Sequence, residues 1–352
     1  MSAQYAIITA MKEKTIKTLA DIAKMANVSQ STVSRALRNN PLVSQKTREF
    51  VQQLAREHNF SVNATASKLR TQKTHTVAVI VMFDQNTEQS ISDPFLMKLL
   101  GTIADELTKF GYDMLLTTTK TATGDWNNYY FESRRADGLI IVGQGEHDPR
   151  IEALASNNVP FVVWGTEIAN ENYTTIGSDN RKGGYLAVKH LIDKGCKNIA
   201  FMGDIEHNEL EQRWLGYQDA CNEAGLTLAP ALRLKTDLTS NDGYQQIKAY
   251  LEGDNPKIDG IFAVSDTIAL GVMKYLHEQQ IAIPGEIAII GFDDIAMSAF
   301  SSPSLTTVRQ NTTAAGELLV SKVLKKIADE PIESKLLEVE LIVRQSSEQV
   351  QA

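Results

Sequence analysis

The chain has 352 residues, a formal net charge of −8, 43% apolar residues and 22% charged residues. This composition is typical of a globular protein of two or three domains, and it excludes a disordered or fibrous chain. No apolar run approaches the roughly 18–20 residues of a membrane span, and the first residues lack a signal-peptide pattern. We therefore expect a cytoplasmic protein that does not enter the membrane.

The two cysteines, Cys196 and Cys221, form no CxxC motif and no cluster with histidine. A disulfide framework or a zinc site is therefore not expected, and a reducing compartment fits this usage. The sequence also lacks a GxSxG elbow, an HExxH pair and a phosphate-binding GK[ST] loop, so we expect neither a cofactor nor an enzyme of these classes.

The charge is unevenly distributed along the chain. Residues 1–75 carry 12 Lys and Arg against 4 Asp and Glu, whereas the remaining residues carry 23 bases and 39 acids. A basic head on an acidic body predicts that the head alone meets a polyanion. A solvated basic surface is the alternative that charge by itself leaves open.

The basic head has the pattern of a helix-turn-helix. Apolar residues lie on one face of a short helix that ends at Ala26 and that Thr18 caps, and Asn27 supplies the turn. Ser29 caps a second helix, Gln30–Leu37, and a third spans roughly Gln45–His58. The second helix is expected to turn small polar side chains outward, as suits base edges and phosphates in a major groove: Gln30, Ser31, Ser34 and Arg35.

The runs from Val28 to Arg35 and from Val43 to Arg48 resemble the DNA-binding head of the LacI/GalR family of transcriptional regulators. The similarity extends over nearly the whole chain, from about Thr15 to Ser347. The resemblance implies that the second helix is the recognition helix and that Gln30 and Ser31 are its main readers of sequence. It implies further DNA contacts at Thr18, Leu19, Thr32, Ser34, Arg35, Asn39 and Asn63.

The segment from Asn63 to Arg70 is similar to the hinge helix of that family. This implies that the segment orders on the operator, with Leu69 as a wedge in the minor groove and Lys68 as a groove or phosphate contact. Val62 stands where the family usually has proline, so the hinge departs from the common pattern. A plain helical linker with Leu69 packed on the core is the alternative.

From Thr76 onward, short apolar runs alternate with stretches of helical periodicity. Such alternation predicts doubly wound parallel sheets, and the number of strands predicts two α/β subdomains. The predicted strands are Val77–Met82, Met114–Thr117, Leu139–Val142, Phe161–Trp164, Ile199–Met202, Ile261–Val264 and Ile287–Ile290. The predicted helices are Pro94–Phe110, Lys182–Asp193, Leu210–Ala224, Gly243–Leu251 and Thr267–Glu278.

The family's similarity to periplasmic sugar-binding proteins implies three crossings between the subdomains, which we place near residues 174–178, 303–307 and 331–335. The expected organisation is a disordered extension (1–14), a helix-turn-helix domain (15–62), a hinge helix and linker (63–75) and an effector-binding and dimerisation domain (76–352). Within the last, the first subdomain comprises 76–174 and 307–333, and the second comprises 175–306 and 334–347. Translation from Met1 or from Met11 is left open.

Ligands of open α/β sheets bind beyond the carboxyl ends of the strands. The polar residues that follow those ends are Asp93, Gln144, His147, Asn180, Arg213, Ser265, Asp266 and Asp293, and Phe95 and Trp164 add flat faces for a sugar ring. A polyhydroxylated ligand fits this set better than a phosphate, which prefers a glycine-rich loop and more cations.

Some of these residues have structural alternatives. Asp266 and Asp179 also fit helix caps, Trp164 also fits a core position, and Gln144 and His147 also fit a surface loop. The resemblance implies that Arg213 and Asp293 hold the effector.

We thus expect a homodimeric transcriptional repressor, not an enzyme, that a carbohydrate releases from a pseudo-palindromic operator, with a glucoside or an oligosaccharide favoured. A purine or nucleoside effector, a corepressor instead of an inducer, an architectural DNA-binding protein and a glycoside-processing enzyme remain as alternatives. The sugar, the operator sequence and the target genes stay open.

Overall fold

The computed structural model describes residues 18–37, 39–58, 60, 73–84, 87–119, 124–145, 148–168 and 172–348. Contacts divide the chain into two units, Met1–Lys73 and Thr74–Ala352. The predictions for the N-terminal extension, for the hinge at Asn63–Arg70 and for His147 lie outside the described residues.

The head contains the three predicted helices, α1 (Leu19–Ala26), α2 (Gln30–Leu37) and α3 (Gln45–Glu57). Thr18 and Asp21 form a reciprocal capping box at the start of α1, and Asn27 ends this helix in the left-handed conformation with a φ of +51°. Because these local signals act within one turn of the chain, the sequence pattern was sufficient to predict them. The helices enclose a small apolar core of Ile22, Ala23, Val33, Ala36, Val43, Val51 and Leu54.

The second unit alternates strands and helices along its described part. In chain order these are β1 (Thr76–Val81), α4 (Pro94–Lys109), β2 (Asp113–Thr118), β3 (Gly138–Val142), α5 (Pro149–Ser156), β4 (Phe161–Trp164), β5 (Thr175–Ser178), α6 (Asn180–Asp193), β6 (Ile199–Met202), α7 (Asn208–Glu223), β7 (Arg233–Leu234), α8 (Ser240–Glu252), β8 (Gly260–Ala263), α9 (Asp266–Glu278), β9 (Ala288–Asp293), α10 (Ala296–Phe300), β10 (Thr306–Arg309), α11 (Thr312–Ile327), β11 (Lys335–Leu337) and β12 (Glu340–Ile342). A π-helical turn at Asn127–Glu132 and a 3₁₀ turn at Pro230–Leu232 complete the set.

These strands form two sheets, which confirms the predicted two-subdomain α/β architecture. The first has the order β11-β5-β4-β3-β1-β2, and the second has the order β12-β10-β9-β8-β6-β7. All described pairings are parallel except that of β10 with β12. Successive residues of β1 pack into two different apolar clusters, so the first sheet is covered on both faces.

The chain passes between the sheets three times, but each crossing lies a few residues beyond its predicted place. Residues 175–178 and 335–337 belong to the first sheet, and residues 306–309 belong wholly to the second. The predicted bounds 76–174, 307–333, 175–306 and 334–347 are corrected accordingly. These strands are short and contain Thr, Ser, Gly or Lys. They lack the apolar run that marks a central strand, so their sequences predict connections instead.

Candidate functional site

A cavity of about 950 Å³ lies within the second unit, where strands of both sheets end. The first subdomain contributes Asp93, Phe95, Gln144 and Trp164 to its wall, and the second contributes Asn180, Arg213, Ser265 and Asp293. Eight of the predicted effector residues therefore surround one space. This is the position that the rule on strand ends predicts for a ligand.

Asp93 connects the start of α4 to the opposite wall. One carboxylate oxygen, Oδ1, accepts hydrogen bonds from the amides of Phe95 and Leu96 at 3.0 and 3.1 Å. The other, Oδ2, lies 3.4 Å from the hydroxyl of Thr267 in the second subdomain. Burial raises the pKa of Asp93, although the two amide hydrogen bonds favour its charged form.

The aromatic surface of the site comes from Phe95 and Trp164. Their ring centroids are 6.3 Å apart and their planes are inclined by 40°. Trp164 is 6% exposed and packs in the core of the first subdomain. Its side chain therefore combines the predicted core role with a face on the cavity.

Two buried polar atoms of this wall, among the described residues, have no hydrogen-bond partner: Oε1 of Gln144 and Oγ of Ser178. The other end of the Gln144 amide is fixed, because Nε2 donates to the carbonyl of Thr166 at 2.6 Å. Buried polar atoms are normally paired, so these two are available to a polar ligand. Gly165 permits this arrangement, since a Cβ there would lie 2.2 Å from Oε1 of Gln144.

Arg213 is the buried cation of the second wall. Its Nε donates to Oδ1 of Asn180 at 2.8 Å, one terminal nitrogen donates to the carbonyl of Val264, and the guanidinium lies 3.6 Å from the ring centroid of Phe292. Burial lowers the pKa of Arg213, whereas the negative charges of Asp293 and Glu209 oppose that shift. The side chain is therefore fixed on three sides and keeps donor capacity for a ligand.

Asp293 ends β9 in an unusual backbone conformation, with a φ of +115°. Its Oδ1 accepts a hydrogen bond of 2.6 Å from Nε2 of Gln310. Burial raises the pKa of Asp293 well above its usual range, and attraction to Arg213 offsets only part of this effect. A residue with a Cβ is strained at such a φ, so the surrounding structure must hold this carboxylate in place.

Asp266 does not line the cavity, and its predicted role as an effector contact is wrong. It is fully buried, and its carboxylate accepts hydrogen bonds from the Ile295 amide at 2.9 Å and from the hydroxyls of Ser298 at 2.6 Å and Thr307 at 2.5 Å. The reason is positional: Ser265, not Asp266, is the N-cap of α9 and faces the cavity. Asp266 instead holds the segment that follows Asp293.

Several polar residues of the cavity wall were missed by sequence reasoning, among them Glu209, Gln310 and Ser178. Glu209 lies one helical turn before Arg213 on α7, and Gln310 directly follows β10. The i, i+4 spacing from Arg213 is a signal that could have found Glu209. Ser178 ends β5 and Gln310 follows β10, and the sequence pattern predicts connections at both of these strands.

The two walls also contact each other at the mouth of the cavity. The hydroxyl of Thr87 and the amide of Glu88 donate to the carboxylate of Asp237 at 2.8 and 3.0 Å. Nε2 of His207 lies 3.1 Å from the carboxylate of Asp84. These hydrogen bonds hold the two subdomains together where no backbone crossing joins them.

In the head, the predicted DNA contacts separate into exposed and buried side chains. Gln30, Ser31 and Arg35 are exposed on α2, as predicted, and Thr32 is half-buried beside Ser29. Ser34 is only 5% exposed, so the prediction that it faces outward is wrong, because it lies on the packed side next to Val33.

Three further predicted contacts flank α2. Thr18 is engaged in the capping box, and Leu19 packs against the core of the head. Asn39 is exposed, and its Oδ1 accepts a hydrogen bond from Gln52. Asn63, Lys68 and Leu69 lie outside the described residues.

Comparisons with known proteins agree with this architecture. The family described as "Bacterial regulatory proteins, lacI family" matches residues 18–63, and the family described as "Periplasmic binding protein-like domain" matches residues 188–347. The HTH-type transcriptional repressor PurR of Pasteurella multocida (strain Pm70) is 30% identical over 337 residues, which cover 94% of this chain and 98% of that protein.

This protein belongs to the LacI family of bacterial regulatory proteins. It is thus a DNA-binding transcriptional regulator, and at the level of the family it is a regulator and not an enzyme. The predicted resemblance to the LacI/GalR family is confirmed. Among solved structures, a transcriptional regulator CelR–cellobiose complex has a TM-score of 0.71 at 27% identity, covering 94% of this chain and 99% of that one.

A lac repressor dimer bound to operator and the anti-inducer ONPF has a TM-score of 0.82 at 24% identity, covering 94% of this chain and 98% of that chain. At this identity the likeness shows the shared LacI-family fold alone. In the described part of the chain, none of the helices has the length and apolar character required to span a bilayer.

Proposed function

We propose that this chain is a homodimeric repressor whose affinity for a pseudo-palindromic operator is set by a carbohydrate in the cavity of the second unit. The observation that carries the proposal is the convergence of both subdomains on one space. Asn180, Arg213 and Asp293 face Asp93 and Gln144 across it. A ligand that bonds to both walls stabilises their closed arrangement, and this is how occupancy is transmitted.

The chemistry of the walls suits a saccharide. Carboxylates, amides and a guanidinium offer paired acceptors and donors for vicinal hydroxyls, and Phe95 and Trp164 offer apolar faces for the carbon side of a ring. The volume of about 950 Å³ is near the upper end of the roughly 300–1,000 Å³ found for small-molecule sites. A glucoside or oligosaccharide is therefore favoured over a single small sugar, in line with the cellobiose bound by the similar regulator CelR.

In the DNA-binding mechanism that we propose, Gln30, Ser31 and Arg35 of α2 read one half-site in the major groove. One head of each protomer meets one half-site, so the operator repeats the two-fold symmetry of the dimer. The sugar prefers the arrangement that binds DNA poorly, and its differential affinity for the two arrangements is the source of induction.

A purine or nucleoside is the second candidate, because the faces of Phe95 and Trp164 also suit a base. The geometry of the pair excludes one way of binding a base, in which it lies between both rings. A base inserted between two rings needs planes about 7–8 Å apart, twice the ~3.5–4.0 Å contact distance. The two rings are 6.3 Å apart and inclined by 40°, so a base could stack on only one of them.

A thermal-shift screen tests the proposal. Purified protein is heated with cellobiose, glucose and ribose, and separately with adenine, hypoxanthine and adenosine. We expect a saccharide to raise the melting temperature of the wild-type protein by mass action, and the Asp293→Asn variant not to respond. The variant Asp105→Asn, which removes an exposed carboxylate from α4, is the matched control and should respond like the wild type. If only a purine or nucleoside raised the melting temperature, the carbohydrate proposal would be wrong and the second candidate would take its place.

A further inference from the structure

The cavity wall has a large excess of negative charge. Its described residues include nine carboxylates but only three cationic side chains, Arg150, Arg213 and Lys235. In a space with low-dielectric walls, such an excess raises the electrostatic cost of admitting another anion. The charge of the cavity wall therefore limits which ligands can bind, in addition to the limit set by the shape of the cavity.

Each of the three cations is already engaged within the protein. Arg150 binds both carboxylate oxygens of Asp148, at 3.0 and 2.6 Å. Lys235 lies 3.0 Å from Asp204 and 2.9 Å from Glu206, so it is shared between two acids. Arg213 donates to Asn180 and Val264 and lies among the acidic side chains of Asp293, Glu209 and Asp266.

By contrast, three carboxylates of the cavity wall do not have enough positive charge beside them to offset the cost of their burial. Burial raises the pKa of Glu209, of Asp93 and of Asp293, and the positive charge of Arg213 offsets this only in part for Glu209 and Asp293. Such groups gain from a ligand that donates hydrogen bonds, as sugar hydroxyls do. Burial already disfavours their charged forms, so a ligand that brings further negative charge must either be repelled by these groups or drive them to take up protons, and both cost binding free energy.

We propose that the cavity selects unphosphorylated saccharides and rejects their phosphate esters. This inference rests on the carbohydrate effector proposed above and specifies its chemical class. It also fixes the place of the effector in metabolism: the sugar reaches the regulator by a route that leaves it unphosphorylated, and a kinase reaction that esterifies it ends the signal.

Paired titrations by calorimetry test this selectivity. The probes are cellobiose with its 6-phosphate, glucose with glucose 6-phosphate, and ribose with ribose 5-phosphate, each added to the full-length protein. In the pair that binds, we expect the ester to bind at least ten-fold more weakly than the free sugar. Higher salt should narrow this difference, because it screens the repulsion.

An ester that binds as tightly as its free sugar, or more tightly, overturns the selectivity but leaves the carbohydrate proposal intact. Absence of binding in all three pairs overturns the carbohydrate proposal and this inference with it. The two failures are thus distinguishable in one experiment.

A charge reversal at the mouth provides a second test. Glu206 is exposed, with 76% of its side chain accessible, so Glu206→Lys should fold normally. The variant replaces an acid by a base and leaves Lys235 paired with Asp204 alone, so we expect the ratio of ester affinity to free-sugar affinity to rise at least three-fold. Glu252→Lys makes the same charge change on the exposed end of α8, outside the cavity wall, and should leave both affinities unchanged. Equal effects of the two variants on the ester would contradict a local charge filter.

Discussion

Asp266 is buried next to the cavity wall and supports the backbone there. Its carboxylate holds the Ile295 amide and the hydroxyls of Ser298 and Thr307, and the Thr307 hydroxyl in turn accepts from the amide of Asp294 at 3.3 Å. These bonds fix the two successive residues with positive φ, Asp293 at +115° and Asp294 at +54°. Asp266 therefore supports the backbone that carries Asp293 and does not itself line the cavity.

The buried carboxylate of Asp266 should leave a signature in the pH dependence of stability. Burial raises the pKa of Asp266 to about 7, against about 3.9 in an unfolded chain. Between these values the folded protein binds a proton that the unfolded chain releases, so the free energy of unfolding should fall as pH rises from about 4 to 7.

The variant Asp266→Asn has no such proton, so its unfolding free energy should fall less steeply over this range. Chemical denaturation of both proteins at pH 4, 5, 6 and 7 measures the two slopes. Asp266 also raises the pKa of Asp293, so the difference between the two slopes reports this buried pair of carboxyl groups. Identical slopes would show that Asp266 is ionised throughout.

Choosing candidate effector residues from the ends of strands located the cavity correctly, but it did not predict which side chains point into the cavity. The rule brought Asp93, Asn180, Arg213 and Asp293 to one cavity because the carboxyl ends of parallel strands share an edge. It could not separate Ser265 from Asp266, since adjacent residues at a helix start point in different directions. Ser34 was misplaced for a related reason, because a short helix with three apolar positions leaves the boundary of its packed face undefined.

At the scale of elements, boundaries were predictable where a local signal exists. Helix α2 and strands β4 and β6 coincide with their predictions, since caps or uninterrupted apolar runs define them. Strand β5 and the helix α11 were not predicted as elements. Whether such a short polar segment forms a strand is decided by the strands beside it, which the local sequence does not specify.

The contact between helices α6 and α7 explains why positions 184 and 216 are glycine. A Cβ on Gly184 would lie 2.2 Å from the carbonyl oxygen of Arg213, and a Cβ on Gly216 would lie 2.0 Å from that of Arg181. The two backbones approach this closely only because both residues lack a side chain. The contact fixes the backbone that carries Arg213.

We therefore expect Gly216→Ala to destabilise the protein by roughly 1–3 kcal/mol, because the backbone atoms that a Cβ would meet cannot rotate away. It should also weaken effector binding by moving Arg213. Gly101→Ala is the control, since a Cβ there meets nothing within 4 Å and alanine favours a helix. Thermal unfolding of both variants measures the effect. A Gly216→Ala protein as stable as the control would contradict the close contact.

The proposed role of α2 as the recognition helix leads to a separate prediction. Arg35 is exposed in its last turn, so Arg35→Ala should weaken specific operator binding at least ten-fold by removing a base or phosphate contact, while effector binding is unchanged. Arg56→Ala removes the same charge from an exposed position of α3 and should cost far less. Footprinting with both variants distinguishes recognition from net charge. Loss of effector binding in Arg35→Ala would indicate misfolding instead.

At the scale of the whole molecule, the N-terminal head and the rest of the chain carry net charges of opposite sign. Residues 1–75 carry 12 bases and 4 acids, and the remaining residues carry 23 bases and 39 acids. DNA is attracted to the head and repelled by the acidic remainder, so operator affinity should fall steeply with salt as phosphate contacts release counterions. In the proposed mechanism a neutral sugar adds no charge, so coupling between cavity and head would come from its preference for one arrangement of the second unit.

The most direct measurement of this account is operator affinity with and without bound sugar. Genomic DNA fragments selected by the purified protein are titrated by fluorescence anisotropy, and calorimetry confirms that the cavity is saturated. We predict at least a ten-fold change in operator Kd for the wild-type protein, equivalent to about 1.4 kcal/mol of coupling, and none for Asp293→Asn. An unchanged Kd in a wild-type protein with the sugar demonstrably bound would contradict the account.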